Sequence, residues 1–284
     1  MSAGPDDFRR ASLENWEAAS HGWRRRRREV DSFGAPVAQW LVQAVAPQPG
    51  ERVLELAAGL GETGLLAAEL VAPGGEVLIS DQAEGMLEGA RERAAELGIG
   101  NVRFQVLNGE WIDLPTAGLD IVLCRWGYML MVDPAAALTE TRRVLAPGGR
   151  LGAAVWDALE RNPWASLPRE ELAARGIGPP AGAEQGPGPF ALGDRTRLAE
   201  LIADAGFTEV EIEDVELVRR QASFQDFWDT TLDISPGLHD AVMSRPEDEI
   251  DSIREGLRER LEPYTDADGS VRIPGHTLVA RASA

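Results

Sequence analysis

Residues 53–64 read Val-Leu-Glu-Leu-Ala-Ala-Gly-Leu-Gly-Glu-Thr-Gly, and they predict a buried strand that turns into a helix. The apolar residues at the start favour a strand, and Gly59 and Gly61 favour a sharp turn after it. A glycine turn lets the backbone approach a ligand closely because no Cβ intervenes. The helix that follows offers free N–H groups to an anion at its first turn. We therefore predict a nucleotide- or cofactor-binding turn at this position.

Strand and helix patterns alternate from residue 52 onward, which is typical of a parallel sheet with helices on both faces. A pair of strands with a helical stretch between them closes the chain. Together these patterns predict an α/β fold with a seven-stranded, Rossmann-like sheet. The predicted strands are 52–56, 76–80, 102–106, 120–124, 150–156, 209–218 and 271–280.

The regions outside the sheet predict helices and one loop. Helices are expected over 15–28 and from about 35 to 45, with Pro36 in the first turn of the second. The proline- and glycine-rich segment 176–193 is expected to form a loop or lid. The expected division is an N-terminal helical segment, a core, an inserted helical cap and a final core strand, with bounds 1–50, 51–218, 219–265 and 266–284.

Composition narrows the class of protein. No apolar stretch is long enough to span a membrane, and the N-terminus has no signal-peptide core. The single cysteine, Cys124, excludes a disulfide framework. A cytoplasmic location is therefore expected. The net charge of −19 disfavours DNA or RNA as a substrate, because such a surface repels phosphate backbones.

The basic residues of this acidic chain are unusual in two ways. Arg24–Arg28 are five consecutive arginines, which either bind an anionic partner or form ion pairs with the acidic surface; we favour the ion pairs. The chain contains no lysine. Schiff-base and pyridoxal-phosphate chemistry, which need a lysine amine, are thereby excluded.

Two cofactors compete for the predicted turn. Gly59-x-Gly61-x-x-Gly64 matches the dinucleotide fingerprint, and Asp81 follows at the distance of a ribose-binding acid. Glu55, however, ends the strand four residues before Gly59. At the position of Glu55 a dinucleotide fold usually has its first glycine and no carboxylate. The pattern from Glu55 to Gly61 resembles the first motif of class I S-adenosylmethionine-dependent methyltransferases, with Ala57 in place of the usual first glycine.

The resemblance covers roughly residues 50–156 and implies roles for individual residues toward S-adenosylmethionine. Glu55 would favour its ammonium, and Ala57, Gly59 and Gly61 would form the turn beneath it. Asp81 would accept hydrogen bonds from the ribose hydroxyls. The adenine would be flanked and bound by Gln82, Met86, Asn108, Gly109 and Glu110, and Arg125 would lie at the methionine end.

The expected activity is methyl transfer to a small-molecule acceptor, as in ubiquinone and menaquinone methyltransferases, which the sequence resembles. Trp126, Tyr128 and Trp156 end neighbouring strands and could form an aromatic wall for a partly apolar acceptor. His21 and Tyr128 are the catalytic candidates, and no His/Asp/Glu spacing indicates a metal site. No nucleic-acid or membrane partner is expected, and a homodimer is left open.

Two alternatives remain at this point. The first is a nicotinamide-dependent oxidoreductase on the same sheet, although the absence of lysine removes the Tyr-x-x-x-Lys pair of short-chain dehydrogenases. The second is a protein that binds S-adenosylmethionine without methylating, as a regulator or a cyclase-type catalyst.

Overall fold

The computed structural model describes residues 4–178 and 186–284, and a seven-stranded mixed sheet forms its centre. The strands are ordered β3-β2-β1-β4-β5-β7-β6, and only β7 runs antiparallel to its neighbours. This agrees with the predicted sheet. The strands are β1 (Arg52–Glu55), β2 (Glu76–Asp81), β3 (Val102–Val106), β4 (Leu119–Arg125), β5 (Leu145–Trp156), β6 (Thr208–Gln221) and β7 (Val271–Ser283).

The helices cover both faces of the sheet. Crossovers from β1 to β2 and from β4 to β5 run in opposite directions along the sheet, so right-handed connections place their helices on opposite faces. The strand order reverses between β1 and β4, where open sheets bind ligands. The helices are α1 (Pro5–Arg25), α2 (Arg27–Val45), α3 (Glu62–Val71), α4 (Glu84–Leu97), α5 (Pro134–Val144), α6 (Pro163–Ala174), α7 (Arg195–Asp204), α8 (Phe224–Ile234), α9 (Pro236–Met243) and α10 (Glu247–Leu261).

The two N-terminal helices are longer than predicted. They meet at Arg26, and Pro36 lies inside α2 instead of in its first turn, so that prediction is wrong. The helix extends before the proline because residues on both sides of it, including Phe33 and Val37, pack against the core. Helical packing thus outweighs the one backbone hydrogen bond that proline removes.

The arginine run at residues 24–28 links the α1–α2 junction to α4 and α8 through ion pairs. Arg24 pairs with Glu88 and Glu92 of α4, and Arg27 pairs with Glu96. Arg25 and Arg26 pair with Asp233 of α8. The run therefore forms ion pairs with the acidic surface, as we favoured.

The β6–β7 hairpin extends beyond the rest of the sheet. β5 pairs with β7 only from Arg150 to Trp156, whereas β6 continues alongside β7 as far as Gln221. A second apolar cluster, formed by α6, α8, α9, α10 and this extension, packs there. Helix α6 was not predicted, although Pro163 after Asn162 is typical of a helix start.

Two further predictions concern the fifth strand and the proline- and glycine-rich segment. The predicted strand at 150–156 is too short, since β5 begins at Leu145 and passes through an irregularity of register before Arg150. The predicted lid at 176–193 lies partly outside the described residues, which omit 179–185.

Candidate functional site

Asp81 ends β2, and its buried carboxylate joins two elements. One oxygen, Oδ2, accepts a hydrogen bond from Gly59 N at 2.9 Å, and Oδ1 accepts one from Ala83 N at 3.0 Å. Burial raises the pKa of Asp81, and the N–H groups of Ala83 and Gly59 oppose that shift. The carboxylate therefore has a fixed orientation at the carboxyl edge of the sheet.

The turn after β1 has the left-handed backbone that its glycines suggest. Gly59 and Gly61 have φ of 55° and 75°. Ala57 also has a positive φ, 50°, in a region that strongly favours glycine. This explains why the related motif usually has glycine at that position. Ala58 N donates to Ser80 O at 2.9 Å, so the turn is bonded to β2.

Glu55 is buried at the end of β1, and the largely buried Arg125, at the end of β4, is close enough to act electrostatically on it. Burial raises the pKa of Glu55 to about 7, although Arg125 opposes the shift. Arg125 Nη2 lies 3.0 Å from Glu62 Oε2, and its Nε donates to Thr63 Oγ1 at 3.2 Å. Among the described residues, Glu55 Oε2 and Arg125 Nη1 are buried without a hydrogen-bond partner.

The loop after β3 is held by its own side chains. Asn108 Oδ1 accepts a hydrogen bond from Glu110 N at 2.9 Å. Glu110 Oε1 accepts one from Val132 N at 3.0 Å. A Cβ at Gly109 would collide with the Met131 side chain. These contacts give the loop a defined shape beside β2 and leave Asn108 one remaining acceptor site.

Helix α1 contacts the residues that are predicted to bind the adenosyl portion of the cofactor. Glu17 accepts hydrogen bonds from Glu84 N at 2.7 Å and Gly85 N at 3.0 Å, at the start of α4. Its negative charge also contributes to the raised pKa of Asp81. Gln82 Nε2 donates to Ser12 Oγ at 3.2 Å.

Three further contacts complete this cover. Arg9 donates to Glu110 Oε2 at 2.6 Å and lies 4.9 Å from the Trp111 ring. Trp23 lies next to Gly59, since a Cβ there would be 3.7 Å from the indole ring. Met86 is buried in a small cluster against which Trp16 and Trp23 pack. Helix α1 thus covers the residues that are candidates for binding the adenosyl portion of the cofactor.

The candidate acceptor side is an aromatic cluster beyond β4 and β5. Trp126 and Trp156 are stacked with ring centroids 4.2 Å apart. The Trp126 backbone has φ of 62°, and its Nε1 donates to Thr277 Oγ1 at 3.2 Å. We define the aromatic cluster as Phe33, Trp126, Trp156, Trp164 and Phe190.

Among the described residues, Tyr128 and His21 make no ring contact with this cluster. Tyr128 is 1% exposed, its hydroxyl is 2.7 Å from Thr141 Oγ1, and burial raises its pKa well above the ordinary value. His21 is exposed on α1. Within the described residues, no group of three or more His, Cys, Asp or Glu side chains could hold a metal ion. No described helix is sufficiently long and apolar to cross a membrane.

Sequence reasoning missed several residues of the site. Glu17 caps α4, and Glu62 pairs with Arg125, whereas Phe33 and Trp164 belong to the aromatic cluster. Glu62 could have been found from the sequence, because it is the acid that begins α3 directly after Gly61. The other three come from elements whose placement over the edge depends on tertiary packing.

This geometry defines an α/β protein with a candidate cofactor site at the carboxyl edge of the sheet, and comparisons with known proteins identify its family. The pattern of a family described as a methyltransferase domain matches residues 47–176. Nocamycin O-methyltransferase from Saccharothrix syringae is 33% identical over 195 residues, which are 65% of this chain and 70% of that protein. The chain belongs to the class I S-adenosylmethionine-dependent methyltransferases.

Two other similarities fit this family. Demethylmenaquinone methyltransferase from Clavibacter sepedonicus is 42% identical over 111 residues, 38% of this chain and 42% of that protein. The chain thus spans about two fifths of that relative's length. The YcgJ protein of Bacillus subtilis has a TM-score of 0.57 at 18% identity, over 88% of this chain and 98% of that one, which shows a shared fold. The predicted fold, family and cofactor are confirmed.

Proposed function

We propose that this protein transfers a methyl group from S-adenosylmethionine to a small, partly apolar acceptor molecule. The observation that carries the proposal is the buried Asp81 carboxylate, held by Gly59 N and Ala83 N. Each carboxylate oxygen has a second lone pair, so both remain able to accept from neighbouring ribose hydroxyls. An acid held in this way at the end of β2 suits a ribosyl cofactor.

The opposite end of the cofactor fits two buried groups. Glu55 Oε2 and Arg125 Nη1 have no hydrogen-bond partner among the described residues. They are complementary to the ammonium and the carboxylate of the methionine portion. A buried polar atom without a hydrogen-bond partner costs free energy, and a zwitterionic ligand would supply a partner for each of these two atoms. When bound, S-adenosylmethionine supplies a methyl group on a positively charged sulfur.

The protein contributes mainly alignment and exclusion of water. Helix α1 covers the adenosyl side, and the aromatic cluster forms a dry surface at the acceptor side. Holding two reactants in line can contribute on the order of 7–11 kcal/mol to lowering a barrier. We assign this role to Trp126, whose partly exposed ring stacks on the buried Trp156 and lies 4.8 Å from the Arg125 guanidinium.

No side chain is assigned as a general base. Tyr128 is buried against Thr141, and His21 and His239 are exposed on helices outside the aromatic cluster. His276 Nδ1 lies 2.9 Å from Arg161 Nη2. His21 and Tyr128 stay predictions as catalytic residues, and their surroundings do not support either role. An acceptor that is already acidic fits this site best.

The remaining expectations belong to the same proposal. We place the enzyme in the cytoplasm, with no nucleic-acid or membrane partner, in keeping with its net charge of −19. The divisions 1–50, 51–218, 219–265 and 266–284 are proposed as functional parts. The first covers the adenosyl side and contributes Phe33 to the acceptor side, and the third shapes the acceptor side. A homodimer is left open.

Calorimetry and a transfer assay test the proposal. S-adenosylmethionine and S-adenosylhomocysteine should bind the full chain with micromolar affinity, and a labelled methyl group should appear on a small-molecule acceptor pool. Failure of both compounds to bind would refute the proposal. Binding without transfer to any acceptor would favour the non-methylating alternative instead.

A further inference from the structure

One face of the β6–β7 hairpin leads from the aromatic cluster to a buried arginine. Opposed residues of an antiparallel pair share a face, and alternate residues return to it. Thr277, Gly275 and Ile273 therefore lie on one face, with Arg219 opposite Ile273. Thr277 receives the hydrogen bond from Trp126, which places the aromatic cluster at the start of this face.

Gly275 brings the cluster close to Arg219. A Cβ at Gly275 would lie 3.2 Å from Phe33 Cζ and 3.2 Å from Trp164 Cδ1, so both rings cover this position. Arg219 follows Leu217, the partner of Gly275, by two residues. That step is about 7 Å along a strand, which the length of an arginine side chain can span. Trp164 of the aromatic cluster also packs against the second apolar cluster, which includes Phe227, the ring next to the Arg219 guanidinium.

Arg219 is buried without a carboxylate partner. The residue is 5% exposed, and among the described residues no carboxylate oxygen lies within 4.0 Å of its nitrogens. Its Nη2 donates to Thr231 Oγ1 at 2.9 Å, and its Cζ lies 4.6 Å from the Phe227 ring centre. Burial lowers the pKa of Arg219 to about 10.

Asp226, the acidic group that opposes this shift, is held by another arginine. Its Oδ1 lies 3.2 Å from Arg26 Nη1. Arg125, which is also largely buried, has Glu62 beside it, so Arg219 differs from it in having a neutral partner only. Burying a charge with one neutral hydrogen-bond partner costs free energy. Packing alone would be better served by an apolar side chain of similar volume.

We propose that Arg219 binds an anionic oxygen of the acceptor, whose flat apolar body lies against the aromatic cluster. The acceptor class is therefore an acidic aromatic or conjugated molecule bearing a carboxylate, phenolate or enolate. This inference rests on the proposed function of the site. It also accounts for a site without an assigned general base, because a buried cation keeps an acidic acceptor ionised.

Matched probes test the charge preference. We would titrate 2-naphthoate and 2-naphthamide, which share one ring system, into the full chain saturated with S-adenosylhomocysteine. Calorimetry should show at least tenfold tighter binding of the carboxylate. Arg219→Met should abolish that preference, and Arg219→Lys should retain part of it. Arg258→Met is the control, since Arg258 lies 4.2 Å from the Phe224 ring at a more exposed position.

Thermal unfolding separates this role from a structural one. Arg219→Met should unfold at the same or a higher temperature than the parent protein, because it removes a costly buried charge. A clear fall in unfolding temperature would indicate a structural arginine and overturn the inference. So would equal affinity for the two probes, no binding of either probe, or an anion preference that survives Arg219→Met. S-adenosylhomocysteine binding in the parent protein, measured first, shows whether the proposed function itself fails.

Discussion

The two ends of the site use different kinds of contact. On the adenosyl side, polar side chains of α1 and backbone N–H groups reach the candidates, with Asp81 and Glu17 as the central carboxylates. On the acceptor side, rings pack against rings, and Arg219 is the one buried charge on that face of the hairpin within the described chain. The first end is suited to a ligand of fixed structure with many polar groups. The second end is suited to a ligand that is recognised by its shape and by a single negative charge.

This difference predicts which mutations should reduce the free energy of ligand binding most. Hydrogen bonds to charged groups contribute about 1.5–3 kcal/mol each, so the adenosyl side should respond sharply to single changes. An aromatic pair contributes about 0.5–1.5 kcal/mol beyond its buried area, so the acceptor side should respond more gradually.

The largest effect is expected for Asp81→Ala. Losing two charge-assisted hydrogen bonds to the ribose, at roughly 1.5 kcal/mol or more each, weakens S-adenosylmethionine binding by about 100-fold or more. Calorimetry of the full chain measures this. Asp194→Ala is the matched control, because Asp194 likewise accepts a hydrogen bond from a backbone N–H, that of Arg197, at the start of α7. Equal losses in both variants would assign Asp81 to folding alone.

The next effect is a pH dependence from Glu55. Its pKa of about 7 in the fold means that ionised Glu55, the form that pairs with an ammonium, is a minority at pH 6. Affinity for S-adenosylmethionine should therefore rise about tenfold between pH 6 and pH 8. Glu55→Gln should remove most of this slope. A flat profile in the parent protein would contradict the assigned role.

Protein stability without cofactor should follow the opposite trend. The pKa of Glu55 is raised in the fold from its ordinary value of 4.5, because burial disfavours the charged form. Its stabilising contribution is then fully present below pH 4.5 and is lost as pH rises toward about 7. The difference between the parent protein and Glu55→Gln in the free energy of unfolding, measured by urea at pH 5 and pH 8, should show this change.

The fold was largely predictable because its signals are local. Buried strands followed by glycine turns, and Asp133 before Pro134 at the start of α5, show in neighbouring residues. The acids that end β1 and β2 were predictable for the same reason. Glu17, Phe33 and Arg219 were not, because each reaches the site from a distant element through tertiary packing. Tyr128 follows β4 as expected, yet the turn aims its hydroxyl at Thr141.

A smaller effect is expected at the aromatic cluster. Trp126→Ala should lower kcat/KM for the acceptor about fivefold, since a lost aromatic pair is worth about 1 kcal/mol, and should leave S-adenosylmethionine affinity nearly unchanged. Trp111→Ala is the comparison variant, because Trp111 is 54% exposed on the adenosyl side. Equal losses of acceptor turnover and cofactor binding in Trp126→Ala would indicate that this ring serves the core.

The smallest effect is expected at the anchor of α1. Arg9→Ala removes the 2.6 Å contact with Glu110 Oε2, while Glu110 Oε1 keeps its hydrogen bond from Val132 N. Since Trp23 lies against Gly59, a looser α1 should expose the turn more often. Stopped-flow association of S-adenosylmethionine should then be about two- to threefold faster, the scale of a partly exposed ion pair worth less than about 1 kcal/mol. Hydrogen exchange of residues 5–16 should increase in parallel. Slower association would instead indicate that α1 contacts the bound cofactor. The polar side chains of α1 would then recognise the cofactor and would not need to move aside for it to bind.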